Sequence, residues 1–292
     1  MNALQAVWKV VWRSVLVALG YVIGLVLAGM IAGMLGVKLA SGAGAGSSIL
    51  VLFAASVLVG VFLGPFAAGL ALTRRQHFAL WGSLIIFNLG SVAIEGAYFA
   101  PALVPVPIPV LLAEQTLATA GAALAITLLF GLRGNSISWL AALRTRPWFS
   151  WVWRFLVSAL SYLAFYFIFG GLNYSLVTKP FYETHAGGLT VPAAGVVFTI
   201  ETIRGLLIVF SVLLFLLSTR GPRRQLVLKA GWLLFAIGGI IPLLWQINML
   251  PPFLLAASAV EIFLQNFLTG AVAAWLLGIE APRSDGSGEH HE

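Results

Sequence analysis

The amino-acid sequence predicts an all-α, polytopic integral membrane protein, with eight transmembrane helices in a tandem four-plus-four parallel repeat and both termini in the cytoplasm. Three observations predict this fold: an apolar composition, eight long apolar runs, and a segment that occurs twice. Hydrophobic residues make up 61% of the 292 residues and charged residues only 9%, and the mean hydropathy is +1.03. A soluble domain of this length cannot stay dissolved with so little charge.

Eight apolar runs define the predicted helices, since about 20 residues suffice to cross a hydrocarbon core of about 30 Å. In chain order the predicted spans are 11–36, 48–72, 78–100, 106–131, 151–175, 191–217, 226–248 and 252–278. Lys9 and Arg13 precede the first run, as basic residues do in a secretory signal peptide. That run is longer than the apolar part of a signal peptide, and a copy of it lies in mid-chain. We therefore expect the first span to be retained.

A repeated segment organises the chain. VWRSVLVALGY, residues 11–21, recurs as VWRFLVSALSY, residues 152–162. Two further segments match: Arg74 to Gln76 with Arg223 to Gln225, and Glu114 to Gly131 with Glu261 to Gly278. The three offsets, 141, 149 and 147 residues, agree with one another. Because each half has an even number of spans, both halves enter the membrane from the same side, which predicts a pseudo-two-fold axis along the membrane normal.

The repeat divides the chain into four parts. They are a first four-helix repeat over 1–132, a cytoplasmic interfacial linker over 133–150, a second repeat over 151–279 and a polar tail over 280–292. In the linker, Trp139, Trp148 and Phe149 stand among arginines, which is typical of a stretch lying at a membrane surface. This face also offers a docking surface for a protein partner. The tail is rich in Gly, Ser and charged residues, which predicts disorder.

The basic residues predict the orientation. Thirteen lie on one side of the eight-span arrangement: Lys9, Arg13, Arg74, Arg75, Arg133, Arg144, Arg146, Arg154, Arg220, Arg223, Arg224, Lys229 and Arg283. Only Lys38 and Lys179 lie on the other side, and Arg204 falls within a span. The excess of Lys and Arg marks the cytoplasmic side. The net charge of +7 is thus a topology signal, and we expect no nucleic-acid partner, because the basic residues do not cluster on a soluble face.

Five charged side chains are predicted inside the membrane: Glu95, Glu114, Glu201, Arg204 and Glu261. Each is costly in hydrocarbon and normally faces a protein interior or a cavity. With a rise of about 1.5 Å per residue, all four glutamates fall in one layer of the non-cytoplasmic half. Arg204 follows Glu201 by three residues and shares its helix face.

This charged layer predicts a polar cavity open towards the outside. The predicted substrate-binding residues are Glu114, Glu261, Glu201, Arg204, Glu95 and Gln265. A structural alternative stays open for each of them. A buried glutamate hydrogen-bonded to a neighbouring helix holds the helices together, and in that alternative Glu201 and Arg204 are a purely structural ion pair.

The sequence excludes several chemistries. Cysteine is absent, which removes disulfides, thiolate catalysis and Cys-ligated metals. His77 lies at the end of a span, His185 lies in a predicted outer loop over 177–190, and His290 and His291 lie in the tail. None is placed to bind haem or zinc deep in the membrane, so we expect no metal and no cofactor. The metalloprotease, P-loop, dinucleotide and serine-hydrolase motifs are also absent, and no catalytic residue is assigned.

Three classes of function stay open. The leading one is a transporter or permease-like protein that binds a cation, a proton or a small polar solute at the carboxylate-lined cavity. The second is a non-catalytic subunit or assembly factor of a larger membrane complex. The third is an intramembrane enzyme for a lipid-linked substrate, with a glutamate as acid or base and Arg204 on a phosphate. The sequence favours a non-enzyme in contact with membrane lipids, and the short loops favour a prokaryotic plasma membrane.

Overall fold

The computed structural model describes residues 3–36, 49–102, 104, 106–134, 138–185 and 188–280. Within these ranges the protein is helical apart from short connections and two parallel backbone pairings. Eight helical stretches are long and apolar enough to cross a membrane, and we number them as spans one to eight: Leu4–Met34, Leu50–Ala68, Arg74–Phe99, Ile108–Leu129, Trp148–Glu183, Ala194–Ser218, Arg223–Trp245 and Pro252–Leu277. The predicted all-α class and the number of spans are confirmed, and both support an integral membrane protein.

The described residues form thirteen helices, of which twelve make up the spans and one, α6, lies between spans four and five; short π-helical segments join some of them. The helices are α1 (Ala3–Met34), α2 (Ile49–Ala68), α3 (Arg74–Ile85), α4 (Ser91–Phe99), α5 (Ile108–Leu129), α6 (Trp139–Leu143), α7 (Trp148–Phe165), α8 (Gly171–Asn173), α9 (Lys179–Glu183), α10 (Ala194–Ser218), α11 (Arg223–Phe235), α12 (Ile241–Trp245) and α13 (Pro252–Leu277). The π-helical segments are Ile86–Gly90 in span three, Tyr166–Gly170 and Tyr174–Thr178 in span five, and Ala236–Ile240 in span seven. The strands are β1 (Ala71–Leu72) and β2 (Leu132–Arg133).

Span five is longer than the sequence predicted. It continues as helix through both π-helical segments to Glu183, so half of the predicted outer loop over 177–190 is helical. Pro180 lies in the first turn of α9, directly after the second π-helical segment. Lys179 pairs with Glu183 one turn later at 3.7 Å, which stabilises this last turn. The prediction failed here because polar and charged residues were taken to end the span.

The same packing order occurs in each half of the chain. Span one packs against spans two and four, and span five packs against spans six and eight. Span three packs on span four, and span seven packs on span eight. Between the halves, span two contacts the end of span seven and span three contacts span six. The π-helical segments of spans three and seven touch each other at the centre of the bundle.

Short parallel pairings join the ends of the even-numbered spans. Ala71 pairs with Leu132 in the β1–β2 ladder after spans two and four. Arg220 pairs with Ile279 in an isolated bridge after spans six and eight. The segments that follow spans two, four, six and eight therefore lie at one end of the bundle, where Trp139 also donates a hydrogen bond to Ser218. We call it the basic end, after Arg74, Arg146 and Arg223.

Arginines cap span eight at the basic end. Arg146 donates hydrogen bonds to the carbonyl oxygens of Leu276 at 3.0 Å and Gly278 at 2.8 Å. Arg154 donates to the Leu276 carbonyl as well, at 2.8 Å. Cations at a helix C-terminus satisfy its free carbonyls and complement the helix dipole. Burial and the charges of Arg154 and Arg223 lower the pKa of the Arg146 guanidinium.

Glycines allow the closest helix crossing described. A Cβ placed on Gly121 would lie 2.1 Å from the carbonyl oxygen of Gly20, and one on Gly20 would lie 2.7 Å from that of Gly121. Spans one and four are therefore in backbone contact, as small residues permit in membrane helices. The largest fully buried side chains include Trp81, Tyr21 and Tyr162. Many Leu, Ile and Phe side chains cover the outer surface instead, which suits contact with lipid.

Candidate functional site

A cavity of about 570 Å³ lies within the bundle, away from the basic end. Side chains from spans three to eight form its wall, together with residues of the connections at that end. Its volume is in the range of small-molecule binding sites. Ala100, Leu189 and Leu254 pack together beside it, with Phe181 and Tyr182 against them. This small apolar cluster joins the connections after spans three and five to the start of span eight at the cavity wall.

Arg204 lies in the cavity wall and contacts two carboxylates. Its Nη1 donates to Oε2 of Glu95 on span three and, at 3.4 Å, to Oε2 of Glu201 on its own helix. The Tyr162 hydroxyl donates to the same Glu201 oxygen at 2.9 Å, and the Arg204 guanidinium lies 5.7 Å from the centre of the Tyr162 ring. This chain of contacts connects spans three, five and six.

Glu261 also lines the cavity and is held there by neutral groups. The Asn173 side-chain amide donates to Oε2 of Glu261, and Gln265 donates to Oε1 at 2.7 Å. A Cβ on Gly170 would lie 3.0 Å from that Oε1, so the missing side chain lets span five approach span eight here. Among the described residues no cation is paired with Glu261. Amide groups therefore donate hydrogen bonds to this carboxylate, and no positive side chain among the described residues pairs with it.

The structure brings most of the predicted site residues together. Glu95, Arg204, Glu261 and Gln265 line the cavity. Glu201 is fully buried behind Arg204 and reaches the cavity only through it. Glu114 is half-buried on span four and does not line the cavity.

Gln115 lines the cavity in place of its neighbour Glu114. Consecutive residues point in directions about 100° apart on an α-helix, so the two side chains cannot face the same space. The Gln115 side-chain oxygen accepts a 2.9 Å hydrogen bond from the Tyr21 hydroxyl. This contact fixes the rotation of span four, and with it the direction of Glu114.

The aromatic part of the cavity wall was not predicted from the sequence. Tyr166, Tyr174, Tyr182 and Trp245 all line the cavity, and the rings of Tyr174 and Tyr182 lie 5.7 Å apart at 57°. Tyr182 was assigned to a loop, because span five was predicted to end before it. The three tyrosines recur every eight residues, about two helical turns, and this spacing was the available signal.

Two buried amides lie next to Gly238, behind the cavity wall. Asn88 donates to the Leu84 carbonyl at 2.7 Å and to the Ser211 hydroxyl at 3.3 Å. Its Oδ1 and the Nδ2 of Asn266 are buried without a hydrogen-bond partner among the described residues. A Cβ on Gly238, which lines the cavity, would lie 3.1 Å from the first and 3.0 Å from the second. An acceptor and a donor therefore face one small space. The polar residue predicted at the site was Gln265, and neither of these two amides was predicted.

One side of the cavity wall faces the outside of the bundle. Phe167 lines the cavity and is nevertheless 47% exposed. It stacks on Phe198 of span six, with ring centres 6.4 Å apart. Nearer the basic end the same two spans are in backbone contact, since a Cβ on Gly205 would lie 2.8 Å from the Ala159 carbonyl oxygen. The seam between spans five and six thus changes from backbone contact to a pair of aromatic rings beside the cavity.

Among the described residues, no three His, Cys, Asp or Glu side chains are grouped so that they could hold a metal ion. Comparisons of the chain with protein-family models, with curated proteins and with solved structures found no match. The chemistry of the cavity is therefore the guide to function.

Proposed function

We propose that the protein is a permease-like membrane transporter that binds a cation, a proton or a small polar solute in this cavity. The observation that carries the proposal is the convergence of Glu95, Arg204 and Glu261 from three different spans on one cavity. Together with Glu201, which contacts Arg204 from behind, the group has three carboxylates and one guanidinium, so its formal charge is −2 when all four are ionised. A bound cation or proton offsets the cost of this buried negative charge.

We infer that the two halves form a parallel repeat. The backbone pair Ala71 and Leu132 has its counterpart in Arg220 and Ile279, displaced by 149 and 147 residues, the offsets of the sequence matches. A pseudo-two-fold axis would relate the contact between spans two and seven to that between spans six and three, and both contacts occur. The touching π-helical segments of spans three and seven would lie on the axis. In transporters built from repeats, the substrate site lies at the repeat interface.

The repeats would differ where the cavity lies. In the first half, Gly20 and Gly121 bring spans one and four into contact. The corresponding positions of the second half are Ser161 and Leu268, which both carry side chains. Of the two repeat-related glutamates, Glu261 lines the cavity and Glu114 does not.

We infer from the arginines that the basic end is cytoplasmic. Positive side chains favour the cytoplasmic face during insertion, and the connections at the cavity end carry few of them. Both termini would then be cytoplasmic and the cavity would face outward, in keeping with a prokaryotic plasma membrane.

Uptake into proteoliposomes tests the transport proposal. The purified protein would be reconstituted and assayed with a panel of inorganic cations, protons and small polar solutes. We expect uptake of at least one of them, lost in Glu261→Gln and Glu95→Gln and kept in Glu114→Gln, whose carboxylate lies outside the cavity. Uptake that survives both cavity substitutions would contradict the proposal.

A second candidate is an intramembrane enzyme acting on a lipid-linked substrate. The exposed Phe167 favours it, because a lipid chain could enter beside that ring from the membrane. Arg204 disfavours it, since Glu95 and Glu201 already contact its guanidinium and compete with a substrate phosphate. Incubation with a bacterial lipid extract, followed by mass spectrometry, tests it: the enzyme hypothesis requires a lipid product that disappears in Arg204→Gln.

A further inference from the structure

Aromatic rings and carboxylates meet in the same cavity. Tyr182 lines the cavity together with Glu95 and Glu261. Tyr166 lines the same cavity. With Tyr174 packed on Tyr182, three phenol rings stand beside two acidic groups. Ring faces attract ammonium groups through their quadrupole, an attraction that strengthens when water is excluded.

The charge distribution favours a cationic occupant. The guanidinium of Arg204 already contacts Glu95 and Glu201. Glu261 has only amide donors, and Glu95 keeps 23% of its side chain exposed. An anion would therefore meet the Glu261 carboxylate, which has no cation partner among the described residues, whereas a cation would find an opposite charge there and at the exposed part of Glu95.

The size and lining of the cavity favour an organic cation over a bare metal ion. The volume of about 570 Å³ far exceeds the space of one or two water molecules, about 30 Å³ each. In the described part of the chain no set of three acidic or His side chains could hold a metal ion. Much of the remaining wall is apolar, with Phe99, Leu243, Met249 and Leu254 among its residues. A ligand with an apolar body would fill this space and would shield the apolar wall from water.

We propose that the ligand is an organic ammonium ion with an apolar body. Its cationic head lies between Glu261, Glu95 and the ring of Tyr182, and its body lies against the apolar wall. This assignment rests on the proposed transport function and names the class of solute carried.

Calorimetric titration of the full-length protein in lipid nanodiscs tests the assignment. The probe is benzyltrimethylammonium, benzyl alcohol is the neutral aromatic control, and Na⁺ is the small-cation control; empty nanodiscs give the partitioning blank. We expect saturable binding of the ammonium probe, at least tenfold tighter than any binding of benzyl alcohol. Tyr182→Leu removes the ring and should weaken binding about tenfold, whereas Tyr182→Phe keeps the ring and should stay within about twofold.

The outcomes separate this inference from the function it rests on. If the ammonium probe does not bind while another cation or proton binds in a Glu261-dependent way, the solute class is wrong and the transport site stands. Equal binding of benzyl alcohol would show that apolar contact alone drives binding, which also overturns the inference. If no cation or proton binds in a Glu261-dependent way, both proposals fail. The comparison of probe and neutral control needs only the wild-type protein, so it holds even where a variant does not fold.

Discussion

Arg204 on span six is paired with Glu95 on span three, 109 residues earlier in the chain. The pair connects the two halves of the protein at the wall of the cavity. Glu201, one helical turn before Arg204, contacts the same guanidinium at 3.4 Å. The arginine thus serves as the positive centre of a group that is otherwise acidic.

Replacing Arg204 should be strongly destabilising. Arg204→Gln leaves Glu95 and Glu201 without a counter-charge, and loss of one partner from a buried ion pair costs about 3–5 kcal/mol. Thermal unfolding in detergent, followed by circular dichroism, measures the loss. The double variant Arg204→Gln/Glu201→Gln removes one stranded charge and should recover part of the stability. A double variant no more stable than the single one would count against the ion-pair interpretation.

The two tyrosines at matching repeat positions should differ in their contribution to stability. Tyr162 donates to the Glu201 carboxylate at 2.9 Å, and Tyr21 donates to the neutral Gln115 amide at 2.9 Å. A hydrogen bond to a charged group contributes about 1.5–3 kcal/mol, and one to a neutral group about 1 kcal/mol. Tyr162→Phe should therefore lower the free energy of unfolding more than Tyr21→Phe does, as measured by denaturation in SDS. The reverse order would contradict the assigned contacts.

The crossing of spans one and four should not tolerate a methyl group. Gly121→Ala places a carbon about 2.1 Å from the Gly20 carbonyl oxygen, so the helices must separate. We expect a lower unfolding temperature for this variant. Gly33→Ala is the matched control, since a Cβ on Gly33 would have no neighbour within 4 Å; it should be neutral or slightly stabilising, because alanine is the better helix former. Equal effects at both positions would rule out the close crossing.

The arginine cap of span eight should contribute measurable stability. Arg146→Ala removes two hydrogen bonds to the last carbonyls of the helix and a contact with the Trp151 ring at 4.9 Å, at a cost of about 2 kcal/mol. Arg144→Ala removes an equal charge from an exposed position in the same linker and should have little effect. If both substitutions shifted the unfolding temperature alike, total charge would be the cause and not the cap.

The sequence predicts the spans well because length and apolarity alone decide whether a helix can cross a bilayer. It also groups Glu95, Arg204 and Glu261 in one layer, and these three residues line one cavity. It does not predict which way a side chain faces in a span that is apolar on all sides. Glu114 shows this: its direction depends on how span four rotates to bring Gln115 to Tyr21.

The π-helical segments were the other feature beyond the reach of the sequence pattern. Each is a local widening of the helix that often occurs at functional sites, and each turns the residues that follow it. Through its two π-helical segments, span five continues as a helix as far as Tyr182. A residue that the sequence placed in a loop therefore lines the cavity. Asn88 lies in such a segment as well. Polar amides and aromatic spacing inside the spans would have indicated these positions better than charge alone.

The most direct test of the cavity as a binding site compares the two repeat-related glutamates. Thermal unfolding would be measured between about pH 5 and pH 8 with a panel of cations for the wild type, Glu261→Gln and Glu114→Gln, since a ligand bound only to the folded state raises its stability. We expect a cation- or pH-dependent rise in the wild type that is lost in Glu261→Gln and kept in Glu114→Gln. A flat response in a well-folded wild type, or an equal loss in both variants, would contradict a binding site in the cavity.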